Sequence, residues 1–576
     1  MSFISVTGQN WVFKTYDDRK VQKISEVFSL DEIVSRLLVI RNIDQDNINT
    51  FLNPSIKSSM PNPYQIIDMD GAVNRIYKSL EKSETIGIFG DYDVDGATST
   101  ALLANYFIMI KQKVNTYIPD RKTEGYGPNI KGFSKLIENG SRIIFTVDCG
   151  TSSFEAIKFS QGKGIDTIVL DHHQADLKLP NAHSIVNPNR IDDKSKLDYL
   201  CAAGVCLMFL SALNKKLRES NWFKKNKIEE PNIINFLDLV SLGTVCDVVP
   251  LVGLNRAIVY QGLKLIKKRN NLGLKTLYDI CNISSKPTTY HLGYVLGPRI
   301  NAGGRVGKSS HGSELLISHD PQKVYKIAND LNLYNEERKK IEDNLLSKVE
   351  IEAEKNLSDP VLVLYGDDWH EGIIGIVASR IKDKYNKPTI LITFNGAHGK
   401  GSARSVYGFD IGLMIITAVQ NQILEKGGGH KMAGGFSINK NKLDDFKKLL
   451  IKKFNKLKIN LNETKQIYID TVVAPSALNE DFYNNINMLS PFGPGNSEPK
   501  FIIEEVKVVN STLIGSKHIK VVLYGKDGKT FKAIAFNSQK TVYEKYLSKF
   551  YKKPLNIAGK MSMNDWRGNK NFIYIK

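Results

Sequence analysis

A short acidic stretch constrains the fold of this chain more than any other feature. It lies between an apolar run, Ile86–Phe89, and an apolar helix-like run, Ala101–Ile110, and reads Asp91-Tyr-Asp-Val-Asp-Gly96. Strand, acidic turn and helix begin a βαβ unit, whose strand end is where open α/β sheets bind ligands. Carboxylates this close repel one another unless a cation lies among them. Asp and Gly also form ordinary turns, so the stretch by itself predicts either a metal site or a plain loop.

Four predicted strands in this region are short and rich in β-branched residues, as buried parallel strands are: Ile86–Phe89, Val114–Ile118, Arg142–Val147 and Thr167–Leu170. Polar residues follow them, including Asp148 after the third strand and Asp171-His-His173 after the fourth. A core or turn histidine pair is the alternative interpretation of the last motif. Because a parallel sheet brings these strand ends to one edge, we expect a cluster there of Asp93, Asp95, Asp148, Asp171 and His172.

Two further acidic residues interrupt the apolar segment between Phe236 and Pro250. They are Asp238 and Asp247. A carboxylate in such surroundings costs free energy unless it is paired or bound to a metal. Asp247, near the end of the segment, is therefore a candidate sixth ligand.

Composition limits the possible classes of protein. The chain has 576 residues, enough for several domains, and Lys+Arg 79 against Asp+Glu 60 gives a net charge of +19. That balance predicts a polyanionic partner, although a Lys-rich genome would also produce it. Five cysteines without a C-x-x-C pair favour a reducing cytosol over a disulfide scaffold or a zinc site. No apolar run reaches membrane-spanning length and no signal-peptide pattern is present, so we expect a cytoplasmic protein with no membrane contact.

The order of these motifs resembles the DHH phosphoesterase superfamily. The four matching motifs are Asp91–Gly96, Val147–Gly150, Asp171–His173 and Leu242–Asp247. Within the superfamily the chain resembles the RecJ single-strand-specific exonucleases, through Ile118–Arg121 with Glu124–Gly127, Leu296–Arg305, Trp369–Gly375, Gly401–Ser405 and Gly427–Gly435. Members that act on small substrates usually carry a metal-binding His four positions before the second acid of the first motif. This chain has Phe89 there, as the exonuclease branch does.

The resemblance implies a site for two divalent ions, Mn²⁺ or Mg²⁺. The positions that bind metal in the family correspond to Asp93, Asp95, Asp148, His172 and Asp247, with Asp148 as the bridging ligand. By the same resemblance His173 contacts the attacked phosphate, while Asp91 and Asp171 stand behind the ligands. Two ions about 3.5–4 Å apart can activate a water and stabilise the attacking and leaving oxygens of an in-line displacement at phosphorus.

Glycine- and arginine-rich stretches are candidate phosphate contacts. Leu296–Arg305 carries Arg299, Asn301 and Arg305 as candidate phosphate contacts; a turn with solvated arginines is the alternative. Ser402 and Arg404 are predicted in a turn bounded by Gly. Gly428, Gly429 and His430 are predicted in a loop whose backbone N–H groups bind phosphate oxygens, with a flexible linker as the alternative. Arg121, Ser402 and Arg404 are the candidates for reading a terminal 5′-phosphate.

The domain organisation expected is an α/β protein with a C-terminal barrel. Its parts are a region of short helices capping the first domain (1–80), a parallel-sheet DHH catalytic domain (81–310), long connecting helices (311–357), a second α/β, DHH-associated substrate-binding domain (358–462) and a β-barrel of the OB-fold type (463–576). Five predicted strands support the barrel, and Trp566, Arg567 and Phe572 are its candidate contacts to single strands.

These inferences predict a metal-dependent exodeoxyribonuclease that degrades single-stranded DNA from the 5′ end, releases 5′-mononucleotides and acts in DNA repair and recombination. The expected partners are single-stranded DNA and a single-strand-binding protein or a helicase, and the expected state is a monomer. A DHH phosphoesterase for short oligonucleotides or cyclic dinucleotides is the first alternative; Phe89 and the C-terminal domain argue against it. The second alternative is a non-catalytic DNA-binding protein, and it requires lost ligands, whereas every expected ligand is present.

Overall fold

The computed structural model describes residues 3–121, 123–459, 466–515, 517–551, 553–566 and 569–575. The chain divides into two compact units. The first unit comprises residues 16–335 and 480–499, and the second comprises 1–15, 336–479 and 500–576. Both contain helices packed on β-sheets, and the expected α/β class is confirmed.

The described chain begins with a hairpin of two short strands, β1 (Phe3–Ile4) and β2 (Asn10–Phe13). β2 also pairs in parallel with residues 466–469, and Trp11 packs in a small core with Ile469 and Ile502. The expectation of helices alone in this region, capping the first domain, is therefore wrong at its start. The five helices that follow are α1 (Asp18–Phe28), α2 (Glu32–Ile40), α3 (Ile48–Leu52), α4 (Ile56–Ser59) and α5 (Met69–Glu81).

A wholly parallel five-stranded sheet forms the centre of the first unit. Its elements are β3 (Ile86–Gly90), α6 (Val94–Met109), β4 (Val114–Tyr117), α7 (Ile130–Glu138), β5 (Ile143–Val147), α8 (Phe154–Gly162), β6 (Asp166–Leu170) and β7 (Ser184–Val186). The four predicted strands are confirmed, and β7 is additional. The strand order is β4-β3-β5-β6-β7, so the connections leave β3 and β5 in opposite directions. The carboxyl ends of β3 and β5 thus flank a topological switch point, where such sheets bind ligands.

Helices complete the first unit: α9 (Ala202–Glu219), α10 (Trp222–Asn226), α11 (Leu237–Cys246), α12 (Gly253–Lys268), α13 (Leu272–Ile280), α14 (Gly297–Val306) and α15 (His311–Ile317). A π-helical turn, His291–Leu296, runs directly into α14, so the alternative of a turn at Leu296–Arg305 is excluded. Gly303 and Gly304 are buried helix residues. α6 is buried on almost all sides, because it packs against β3, α9, α11 and α15.

The long predicted connecting helix is α16 (Pro321–Lys355), whose 35 residues are shared by the two units. The second unit continues with β8 (Leu362–Asp367), α17 (Glu371–Tyr385), β9 (Thr389–Asn395), β10 (His398–Arg404), α18 (Ile411–Gln420), β11 (Lys426–His430), β12 (Ala433–Asn439) and α19 (Leu443–Lys456). The five strands form one mixed sheet in the order β11-β12-β10-β9-β8.

Two predicted turns of the second unit are strands. Ser402 and Arg404 lie on β10, and Gly428, Gly429 and His430 lie on the edge strand β11. The glycines provide close packing instead of a turn: a Cβ added at Gly401 would lie 2.1 Å from the Phe436 ring. Glycine in a strand interior often marks such a close approach.

The C-terminal part of the second unit is a closed barrel. Two short strands, β13 (Gln466–Ile469) and β14 (Thr471–Val472), and one helix of the first unit, α20 (Glu480–Asn487), precede it in the chain. The barrel region itself contains β15 (Phe501–Ile514), β16 (His518–Tyr524), β17 (Thr530–Ala535), α21 (Val542–Tyr546), β18 (Leu555–Trp566) and β19 (Asn569–Ile575). The order β15-β16-β17-β19-β18 closes because β18 pairs with β15. The predicted five-stranded barrel is confirmed, but its first predicted strand pairs instead with β2 and β15, and β19 completes the closure.

Of the candidate DNA contacts of the barrel, Trp566 ends β18 and Phe572 lies on β19. Arg567 lies outside the described residues, and so do the side chains of Trp566 and Phe572. Across the described ranges, no helix is both long and apolar enough to span a membrane.

The crossing of α11 and α12 depends on Gly262. A Cβ there would lie 2.3 Å from the Leu237 carbonyl oxygen and 2.5 Å from the Ser241 Cβ. We expect Gly262→Ala to lower the free energy of unfolding by about 1–3 kcal/mol, the usual cost of overpacking. Gly162, the last residue of α8, is the matched control, because no atom lies within 4 Å of its added Cβ. Urea unfolding followed by circular dichroism measures both variants; equal stabilities would contradict the packing argument.

Candidate metal centre

The turn after β3 brings three carboxylates to the switch point. Asp93 caps α6, since its Oδ1 accepts a hydrogen bond from the Gly96 N–H at 3.0 Å. Asp95, buried in the first turn of α6, accepts hydrogen bonds from the first two N–H groups of α9, at 2.6 and 3.0 Å. Gly96 permits this tight turn, because a Cβ there would lie 2.5 Å from the Asp91 carbonyl oxygen. The predicted pair Asp93 and Asp95 is thus held by two helix starts.

One imidazole nitrogen lies among three carboxylates from different elements. His172 Nε2 is 3.3 Å from Asp148 Oδ1, 3.6 Å from Asp247 Oδ2 and 3.8 Å from Asp95 Oδ2. Asp95, His172 and Asp247 offer ligand atoms that all lie within 4.8 Å of one another, and so do Asp148, His172 and His173. Either group could hold a metal ion.

Asp91 and Asp148 extend the cluster on the β3 side. The ligand atoms of Asp91, Asp93 and Asp148 form a third group within 4.8 Å. Asp91 Oδ1 is buried and has no hydrogen-bond partner among the described residues. The resemblance places Asp91 behind the ligands; in the structure Asp91 offers one oxygen to this third group. Asp148 has φ 60, a left-handed backbone that Asp tolerates better than most residues and that is often found at functional sites.

Asp247 reaches the cluster because α11 approaches α6 closely. A Cβ at Gly243, one helical turn before Asp247, would lie 2.6 Å from Thr98 Oγ1 and 2.8 Å from Asp95 Oδ1. Only glycine fits this contact, which explains the glycine of the Leu242–Asp247 motif. Asp238, the other acidic residue of the segment, lies outside the three groups. Burial raises the pKa of Asp238 to about 6.

His173 is oriented by Asp171. Its Nδ1 lies 2.8 Å from Asp171 Oδ1, which also accepts from the backbone N–H groups of His172 and His173. Asp171 Oδ2 accepts from the Thr151 N–H and hydroxyl. Burial alone would lower the pKa of His173, but the hydrogen bond and charge of Asp171 outweigh it and raise the pKa to about 9. Asp171 therefore stands behind the histidine with both carboxylate oxygens occupied.

Burial and, after it, charge repulsion make the carboxylates of the cluster costly to ionise. Burial raises the pKa of Asp91, Asp95, Asp148 and Asp247 above the ordinary carboxyl value, and neighbouring carboxylates add to the shift at each. For Asp247 the pKa reaches about 9. Burial lowers the pKa of His172, which keeps its imidazole neutral and its lone pair available to a cation. A bound cation would stabilise the ionised form of these carboxylates and lower their pKa.

Sequence reasoning missed several residues of the site. Tyr126, flanked by Gly125 and Gly127 at φ +82 and +81, places its hydroxyl 3.4 Å from His173 Nε2. Asn187, after β7, donates to the Thr151 hydroxyl and to the His173 carbonyl, and Asn189 donates to the His172 carbonyl. The Gly-Tyr-Gly sequence and the Asn-Pro-Asn sequence after Ser-Ile-Val were the available signals.

Two of the three candidates on α14 lie beside the acidic turn. The Val94 N–H donates to Asn301 Oδ1 at 3.1 Å, and the charge of Arg305 acts on the Tyr92 hydroxyl. The Arg121 guanidinium lies over the same Tyr92 ring, 5.1 Å from its centroid. Arg299 instead donates to Asn332 Oδ1 and to the Val295 carbonyl.

In the second unit four of the five candidate phosphate contacts share one sheet face, and Gly429 lies at a position of the opposite face. Across β12, Ser402 aligns with Gly435 and Gly428, and Arg404 aligns with Ala433 and His430. Residues directly opposite in neighbouring strands point to the same face, and two strands span roughly 10 Å. The β12 residues between the two pairs are Ala433 and Gly435, so little side-chain volume covers this face. The sheet thus groups residues that the sequence assigned to separate loops.

Arg404 lies in a confined position on this face. Its Nη1 donates to Ser402 Oγ at 3.1 Å, and burial lowers the pKa of its guanidinium. A Cβ at Gly375 of α17 would lie 3.0 Å from Arg404 Nη2, so that glycine makes room for the arginine.

Sequence profiles of three families match the chain. Residues 85–244 match the DHH family, N-terminal domain; residues 358–456 match the DHHA1 domain; and residues 469–574 match the RecJ OB domain. The single-stranded-DNA-specific exonuclease RecJ of Haemophilus influenzae is 36% identical over 537 residues, which cover 89% of this chain and 90% of that protein.

Two crystal structures of RecJ from Thermus thermophilus have a similar fold. The complex with Mn²⁺ aligns with a TM-score of 0.81 at 23% identity and covers 98% of this chain and 78% of that chain. The complex with Mg²⁺ aligns with a TM-score of 0.75 at 22% identity and covers 98% and 77%. The extent and identity of the sequence match decide the assignment: this chain belongs to the RecJ family of single-stranded-DNA-specific exonucleases.

Proposed function

We propose that this protein degrades single-stranded DNA from the 5′ end and releases 5′-mononucleotides by hydrolysis at a centre of two divalent ions, in DNA repair and recombination in the cytoplasm. The observation that carries the proposal is the cluster at the switch point, where His172 Nε2 lies within 3.8 Å of three carboxylates. The RecJ relative from Haemophilus influenzae, which matches nearly the whole chain, supports the substrate class.

The residues present fit two hard divalent cations. Asp95, His172 and Asp247 would hold one ion and Asp93 the other, with Asp148 shared between them and Asp91 adding an oxygen that has no hydrogen-bond partner among the described residues. Carboxylate oxygens with one imidazole suit Mn²⁺ or Mg²⁺, the ions in the related Thermus structures. When bound, such ions lower the pKa of a coordinated water and stabilise negative charge on the attacking and leaving oxygens.

The protein itself supplies orientation and charge. His173, held by Asp171, would donate a hydrogen bond from Nε2 to an oxygen of the attacked phosphate. Arg121, over the Tyr92 ring, and Arg305 add positive charge beside the acidic turn. On the second unit, Ser402, Arg404, Gly428, Gly429 and His430 would contact phosphates of the strand. Arg404 suits the terminal 5′-phosphate, because a guanidinium makes two parallel hydrogen bonds to it.

A substrate panel tests the proposal. With Mn²⁺, a long 5′-phosphorylated single strand labelled at its 3′ end should yield unlabelled mononucleotides first, and a blunt duplex should resist. Equal nucleotide amounts of a dinucleotide and a cyclic dinucleotide serve as competing substrates. Early release of the 3′ label contradicts the polarity. Consumption of the dinucleotides with survival of the long strand would instead favour a small-substrate phosphoesterase.

The shared ligand Asp148 allows a test of the metal centre. Asp148→Asn keeps a residue that tolerates a positive φ but removes a charge. We expect hydrolysis to be abolished and the affinity for Mn²⁺, measured by calorimetry, to fall at least about a hundredfold. Mn²⁺ should also raise the melting temperature of the wild type more than that of the variant. The exposed Asp198→Asn is the control. Turnover within about tenfold of wild type in Asp148→Asn removes Asp148 from the centre.

The end-reading role of Arg404 is tested separately. Arg404→Ala should weaken the preference for 5′-phosphorylated over 5′-hydroxyl strands by about tenfold or more, since a hydrogen bond to a charged group contributes roughly 1.5–3 kcal/mol. Arg404→Lys should restore part of it, because the charge remains but the two-point contact is lost. Lys452→Ala, exposed on α19, controls for charge loss on the same unit. The measurement is the ratio of kcat/KM for the two strand ends; an unchanged ratio assigns the 5′-phosphate to other residues.

A further inference from the structure

Two tyrosines on the first unit form an exposed aromatic stack. Tyr290 and Tyr294 are 62% and 74% exposed, and their rings lie 5.4 Å apart between centroids at an interplanar angle of 22°. No other large hydrophobic residue between Val252 and Tyr325 is exposed in this fully described stretch. Within this stretch the two rings are thus the only exposed large hydrophobic side chains.

The stack begins the helical segment that runs along the metal centre. Tyr294 lies in the π-helical turn His291–Leu296, a rare element often found at functional sites. Within that turn the Leu292 carbonyl lies 3.4 Å from the thiol of Cys246, the residue before Asp247. Further along the segment, Asn301 accepts from the Val94 N–H, and a Cβ at Gly304 would lie 3.1 Å from Tyr92. The same helical segment thus carries the tyrosines at its start and contacts the acidic turn at its end.

The segment around the stack has only positive charge. Between Asp279 and Glu314 the sequence contains no Asp or Glu, and its Lys and Arg residues are Lys286, Arg299, Arg305 and Lys308. In a chain with 24% charged residues, this composition favours a polyanion along the segment.

We propose that the Tyr290–Tyr294 stack is a platform for bases of the single-stranded substrate, beyond the nucleotide held at the metal centre. This inference rests on the proposed exonuclease function. Base–aromatic stacking is sequence-tolerant because every base has a π-face, which suits an enzyme that removes each nucleotide in turn. The rings hold the strand through its bases, whereas the basic residues hold it through its phosphates.

Binding measurements on the full chain without hydrolysis test the platform. The probe is a long 5′-phosphorylated oligothymidylate with a 3′ fluorophore, in buffer free of divalent ions. The double variant Tyr290→Ala/Tyr294→Ala should raise Kd about tenfold, whereas Tyr290→Phe/Tyr294→Phe keeps the rings and should bind as wild type does. Tyr325→Ala on α16 is the matched control, since Tyr325 is also 62% exposed in the same unit.

A double-mutant cycle that combines the tyrosine variants with missing bases tests whether the rings contact a base. Single abasic sites placed along the strand should weaken binding to the wild type at one or more positions. At those positions the double Ala variant should lose no further affinity, because the partner rings are already absent. The salt dependence of binding should stay the same in that variant, since no phosphate contact is removed.

Two results would overturn the platform. One is equal affinity of the double Ala variant and the wild type, which would leave the stack for another partner such as a protein. The other is unchanged sensitivity to abasic sites in the double variant. Hydrolysis of the same strand with Mn²⁺ separates this inference from its basis: an inactive wild type refutes the exonuclease, whereas an active wild type with an indistinguishable double variant refutes only the platform.

Discussion

Repulsion among buried carboxylates is the constraint on which this structure depends. The parallel sheet ends β3 and β5 in acidic residues, and α11 adds Asp247 from the other side, so four carboxyl groups have a raised pKa. The protein compensates part of this charge with the N-terminus of α9 at Asp95, and part with the imidazole of His173 at Asp171. Asp91 Oδ1 has no hydrogen-bond partner among the described residues, which leaves that oxygen available to a cation.

Glycine sets how closely the elements approach this cluster. Gly96 lets the acidic turn fold back on Asp91, and Gly243 lets α11 contact α6 beside Asp95. In the second unit Gly375 makes room for the Arg404 guanidinium, and Gly401 makes room for Phe436. In each case an added Cβ would fall within about 3 Å of a neighbouring atom, closer than van der Waals contact permits. The glycine-rich motifs are thus packing requirements as much as flexible loops.

The candidate phosphate contacts lie on different structures in the two units. The first unit offers a helical segment that carries Asn301 and Arg305 beside the acidic turn, and the second offers one face of a mixed sheet. The closed barrel adds a third kind of surface, in a family-specific OB domain.

The sequence by itself determined the strands β3 to β6, the ordered acidic motifs and their convergence, because strand ends in a parallel sheet meet at one edge whatever the rest of the chain does. It also determined the family, since nine-tenths of the chain aligns with a RecJ relative. Only the tertiary structure decided that Asp91 lies beside Asp93 and Asp148 in the acidic cluster, that Ser402 and His430 are strand residues on one face, and that the first fifteen residues belong with the barrel. These features depend on contacts between residues far apart in sequence, and local propensity and spacing carry no information about such contacts. Glycine shows the reason most clearly: in sequence it predicts a turn, whereas at Gly401 its role is set by the Phe436 ring of a neighbouring strand.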